Sequence, residues 1–116
     1  MIKKLFLSLI TGAVCFAGVG PSIAAVHWHT THVKVIYPYN DGSFVLAFAT
    51  DHPDCTSAQT PNKYYYVTVG TSGVNSILAK NLLAVATFAM ATDRAVSVLF
   101  DDASSYCYVS TLLVTN

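Results

Sequence analysis

Three of the four histidines stand close together, in the stretch Val26-His27-Trp28-His29-Thr30-Thr31-His32. In an extended chain His27 and His29 share a face, and imidazole is a ligand for Cu(II), Ni(II) and Zn(II). If the mature chain begins at Ala25, a free amine has His27 third in line. The amine, two backbone amides and the imidazole could then wrap Cu or Ni in a square-planar set of four nitrogens. If it begins at Val26, His27 stands second and that chelate is lost. The metal reading therefore rests on His27 and His29. The competing reading is a polar first strand that binds nothing.

The fourth histidine, His52, follows Asp51 and precedes Asp54 by two residues. A histidine near carboxylates can act as a general base, yet residues adjacent in sequence seldom aim at one substrate atom. A solvent-facing loop is expected there. The chain has no glutamate, no Gly-x-Ser-x-Gly elbow, no glycine-rich phosphate loop and no Cys/His ligand framework. A non-enzymatic protein is expected, with no resident cofactor unless Cu or Ni binds the histidines.

Seven tyrosines and one tryptophan offer a different chemistry. Both side chains combine an apolar face with a polar edge, which suits sugars and protein partners. Tyr64-Tyr65-Tyr66 must send Tyr64 and Tyr66 to one face of a strand and Tyr65 to the other. Trp28, Tyr64 and Tyr66 are the candidate ligand-binding residues. Tyrosine is also simply a good strand residue.

The charge balance decides against other partners. The 116 residues carry 6 Lys and Arg against 6 Asp, for zero net charge. That average hides two segments. Lys3 and Lys4 precede an apolar run from Leu5 to Val19 and a small-residue stretch ending Ala24-Ala25, which together read as a cleaved secretory signal over residues 1–25. The run is shorter than the roughly 20 residues a spanning helix needs, so no stable membrane insertion is expected after cleavage, whether that follows Ala24 or Ala25. Residues 26–116 then form one domain with four cations against six aspartates, a balance of −2. Nucleic-acid binding needs clustered cations, and these four are scattered.

Export also explains the cysteines. Cys15 leaves with the leader, and Cys55 and Cys107 remain as an even pair in an oxidising compartment, periplasmic or extracellular. One disulfide between them is expected.

The elements that must position these residues follow from periodicity and turn chemistry. Strands are predicted over His32–Tyr37, Ser43–Thr50 and Tyr64–Val69, with Asn40-Asp41-Gly42 turning between the first two and a long loop over Asp51–Asn62. Ser43–Thr50 is apolar on both faces. The period then changes to a helix over Ile77–Ala91, capped by Asn75 or Ser76 and ended by Thr92-Asp93-Arg94. Leu78, Leu82, Val85 and Ala89 trace one face, and Ile77, Ala84 and Phe88 lie around from it. A helix this apolar is covered by loops or by a second copy of the chain, which makes those three the candidate oligomer interface. Strands over Ala95–Phe100 and Tyr106–Thr115 complete the order β-β-β-α-β-β. In the last strand Tyr106, Tyr108, Leu112 and Val114 are expected on one face.

That order matches a small five-stranded β-barrel of the OB type, whose one helix lies between strands three and four. With the export signal, the single disulfide and the doubly apolar helix, the architecture from Val33 to Val114 resembles the B subunits of bacterial A–B-pentamer toxins, in particular the subtilase-cytotoxin and pertussis-like branch. The resemblance implies an exported, non-enzymatic, ring-forming protein that binds glycans. It carries no sugar-binding signature residue by residue. The alternatives are an exported protein handling metal through its histidines and a periplasmic protein of structural role.

Overall fold

A computed structural model describes residues 25–115. The expected leader falls almost wholly outside them. Five strands and one helix follow in the predicted order: β1 Val26–Pro38, β2 Phe44–Phe48, β3 Tyr65–Val67, α1 Ser76–Thr92, β4 Ala95–Asp101 and β5 Val109–Val114. The strands form one antiparallel sheet in the order β3-β2-β1-β4-β5. Its ladder is open, because no strand pairing joins β5 to β3 among the described residues. One backbone hydrogen bond crosses there, from the Tyr66 N–H to the Tyr106 carbonyl at 3.2 Å.

The first strand is longer than predicted. It starts at Val26, because Val26–His32 pairs with β4 while Val33–Pro38 pairs with β2. The partner changes between His32 and Val33, and Lys34 just after is an extra residue that bulges the strand. Before the bulge His27, His29, Thr31 and Val33 face inward; after it Ile36 does. β1 thus begins with a polar rim and ends in the core.

A second bulge, at Ser110, corrects the prediction for the last strand. Leu99 pairs with Thr111 but Phe100 with Val109, so Val109 and Leu112 are both buried. Tyr106 and Tyr108 precede β5 and do not share the face of Leu112 by alternation. Cys107 between them has φ 48°, which turns the chain.

Phe44, Leu46, Phe48, Tyr65, Val67, Val96, Val98 and Phe100 form the centre of the core, all fully buried. The helix closes over one side. Asn75 caps it, its Oδ1 accepting the Leu78 N–H at 2.8 Å, and Asp93 ends it in the left-handed conformation. The buried face is Ala79, Leu82, Ala86 and Ala89, and its three alanines let the helix lie close to the sheet. Leu78 and Val85, predicted to lead that face, pack at its margin. Among the described residues no helix is long and apolar enough to cross a membrane.

The Cys55–Cys107 disulfide is present, with 0% exposure at either end. It ties the loop after β2 to the segment before β5, and is compatible with an oxidising compartment.

Candidate functional site

Two clusters stand out from the fold, at different places on it. The first is aromatic. Register places Tyr37 of β1, Val45 of β2 and Tyr66 of β3 side by side on the outer face of the sheet. Val45 is fully buried although it points away from the core, because the tyrosines on either side cover it. This is the physical reason β2 is apolar on both faces.

Four further tyrosines join this row. Tyr66 packs edge-on against Tyr106 at 5.1 Å between centroids, and Tyr106 stacks on Tyr108 at 5.4 Å. Tyr64 meets Tyr66 at 6.3 Å, and Tyr37 meets Tyr39 at 5.3 Å. Burial pushes the Tyr66 phenol above its usual range, helped in order by Tyr39, Tyr106, Tyr64 and Tyr108. The groups acting on it are all tyrosines. Six of the seven tyrosines therefore make one surface, with Tyr37, Tyr39 and Tyr106 each about half exposed. The seventh, Tyr65, is a core residue whose phenol is likewise held high, by burial first.

Of the predicted ligand residues, Tyr64 and Tyr66 belong to this surface. Trp28 does not. It is 52% exposed on the same strand as Tyr37 but nine residues earlier, paired with Leu99 of β4. The missed members are Tyr37, Tyr39, Tyr106 and Tyr108.

The second cluster is polar. His27 and His29 do share a face, as expected, and the ring between them belongs to His52. Ring centroids lie 5.0 Å from His27 to His52 and 5.5 Å from His29 to His52, and all three rest on Phe100 or Phe48. His52 is thus half-buried among rings, not a solvent-facing loop residue. Its backbone N–H donates to the Tyr65 hydroxyl at 2.8 Å, and its Nδ1 accepts the Asp54 N–H at 3.0 Å. Burial first, and then the neighbouring His27, hold its pKa below the usual histidine value.

Carboxylates flank the rings. His27 Nε2 donates to Asp102 Oδ2 at 2.9 Å, and His27 Nδ1 lies 3.4 Å from Asp54 Oδ2. The His27 hydrogen bond and then the Ala25 N–H hold the Asp102 carboxyl below its usual range, so it stays ionised. His29 Nε2 donates instead to the Thr50 carbonyl at 2.8 Å. His32 points outward and takes no part.

The N-terminal chelate fares differently. Val26 and His27 pair with Asp101 and Phe100, and the Ala25 carbonyl accepts the Asp102 N–H at 3.0 Å. Successive backbone nitrogens of a strand point to opposite sides. Four-nitrogen wrapping of Cu or Ni therefore requires these residues to leave the sheet.

The predicted interface residues Ile77, Ala84 and Phe88 all lie on the outward face of the helix. Ile77 is 70% exposed and Phe88 51%, with the Arg94 guanidinium 6.0 Å above the Phe88 ring. The comparisons add no relative to this picture: no protein-family model matches the chain, and no similar curated protein or solved structure was found.

Proposed function

We propose that this chain is an exported, non-enzymatic carbohydrate-binding module that uses its tyrosine surface as the sugar platform. The observation that carries the reading is the convergence of six tyrosines on one face. A sugar ring presents C–H bonds on one side and hydroxyls at its rim. Tyrosine matches both, with a flat apolar ring and a phenol that donates and accepts. Residues 26–116 carry only four scattered cations against six aspartates, which disfavours a phosphate or nucleic-acid ligand.

The architecture supports the same reading. Strand order β3-β2-β1-β4-β5, a helix between β3 and β4, and the Tyr66–Tyr106 hydrogen bond fit an OB-type barrel in which β5 returns beside β3. Barrels of that type bind oligosaccharides or oligonucleotides on the face of strands two and three and on the loops after strands one and four. Tyr39 lies in the first of those loops, Tyr106 and Tyr108 in the second, and Tyr66 on β3. Export is supported by the disulfide and by the basic-then-apolar leader.

Glycan-array screening of the mature protein, followed by calorimetry on the best ligand, tests the reading. Tyr37→Ala and Tyr106→Ala remove half-exposed rings without opening the core, and each should weaken binding about ten-fold, roughly 1–2 kcal/mol. Binding unaffected by both would remove the platform.

Assembly is a second reading, favoured by the exposure of Ile77 and Phe88 on the helix. It is the ring-forming property that resemblance to toxin B subunits implies. Size-exclusion chromatography with light scattering decides it: a pentamer supports the ring and a monomer removes it.

A further inference from the structure

We propose that His27, His52 and Asp54 bind a divalent transition-metal ion of the zinc class, with Asp102 orienting the His27 ring. Each of the three offers one donor atom, and these atoms lie within 4.8 Å of one another. In a tetrahedral zinc site with bonds of about 2.0–2.2 Å, neighbouring donors stand roughly 3.3–3.5 Å apart. His27 Nδ1 and Asp54 Oδ2 are already 3.4 Å apart, and His52 Nδ1 is 3.9 Å from the same oxygen. Small side-chain rotations close the set around one ion.

The hydrogen bonding points the same way. In the neutral tautomer that gives its Nε2 proton to Asp102, the His27 ring presents the Nδ1 lone pair to the Asp54 carboxylate. Two acceptors then face each other at 3.4 Å, an arrangement that a cation between them relieves. A carboxylate behind a ligating histidine is the usual way proteins fix the tautomer of such a ring. Coordination through His52 Nδ1 exchanges its hydrogen bond from the Asp54 N–H for a bond to the ion.

The frame is built before the ion arrives. His27 is held by β1 pairing with β4, and His52 by the Tyr65 hydroxyl. Asp54 precedes Cys55, which the disulfide anchors. The Asp54 side chain is 54% exposed, so an ion can enter from solvent, and a fourth position remains for water. This site differs from an N-terminal chelate in needing no free amine. It is also independent of the tyrosine surface.

The test is calorimetric titration of Zn(II) alone into metal-free mature protein, with nitrogen-detected NMR of the imidazoles on the same wild-type sample. One ion per chain is expected, with the His27 and His52 nitrogens shifted and those of His32 unmoved. His52→Ala and Asp54→Asn should each weaken Zn(II) at least ten-fold, His32→Ala should not, and one extra residue ahead of Ala25 should leave binding intact. The NMR arm uses unaltered protein, so it stands even if a variant fails to fold. Absence of Zn(II) binding, with a proton found on His27 Nδ1, overturns the proposal by placing a proton where the ion is assigned. Binding that persists in His52→Ala, or is abolished by the added residue, overturns it in favour of the amino-terminal chelate.

Discussion

Replacing both Cys55 and Cys107 with alanine should be the most damaging change that leaves the sheet's apolar pattern intact. The bond joins positions 52 residues apart. Cross-linking a loop of that length restricts the unfolded chain by about 4 kcal/mol in the chain-entropy model. Domains of this size are stable by roughly 5–15 kcal/mol in total, so the bond supplies a large share. With about 4–8 °C of melting temperature per kcal/mol for a domain under 100 residues, the loss should be roughly 15–30 °C. Alanine is the right replacement, since serine would bury a hydroxyl where both sulfurs are fully enclosed. The assay is thermal unfolding followed by circular dichroism, with wild type melted in parallel with and without a phosphine reductant. The bond also holds the loop bearing His52 and Asp54 to the segment bearing Tyr106 and Tyr108, so its removal should loosen both clusters together. A shift under about 5 °C would refute the reasoning that this loop closure is a main support of a small core.

Two further outcomes follow from local structure. Asn75→Ala removes the acceptor for the Leu78 N–H and should destabilise the fold by about 1 kcal/mol, read as a lower midpoint in urea with unchanged slope. Tyr65 and Tyr66 both hold their phenol protons above the usual range, so the unfolded chain releases them first as pH rises. Their contribution is therefore complete below about pH 10 and declines as pH climbs through the folded values. Urea midpoints measured from pH 8 to 11 should fall at the alkaline end, and Tyr66→Phe should flatten part of that fall.

Much of this fold is legible in the sequence, for identifiable reasons. Alternation and turn residues mark the strands, the shift to helical period after Gly73 marks α1, and an even cysteine pair marks the disulfide. Phe44–Phe48 reads as buried on both sides because it is apolar on both. What the sequence does not display is the phase within a strand. The bulges at Lys34 and Ser110 carry no signature of composition, yet each reverses which residues face inward. The start of β1 is missed for a related reason: Val26–His32 is polar, and its partner is β4, more than sixty residues later.

The clusters divide in the same way. Tyr64 and Tyr66 are found because they are two apart in one predicted strand, although β3 itself begins only at Tyr65. Tyr37, Tyr39, Tyr106 and Tyr108 reach them through cross-strand register and a turn at Cys107, neither of which is local. His27 and His29 are found by their spacing. His52, Asp54 and Asp102 come from a loop and a distant turn, and the available hint was that Cys55 anchors the loop that carries two of them.

The claim that this protein is a sugar-binding module is tested most directly by titrating the mature chain with the best oligosaccharide from a glycan array and repeating the titration with Tyr106→Ala. The account predicts saturable binding to wild type and about a ten-fold loss in the variant, with the circular dichroism unchanged. No glycan bound by the correctly folded, disulfide-bonded protein, or equal affinity in the variant, would contradict it.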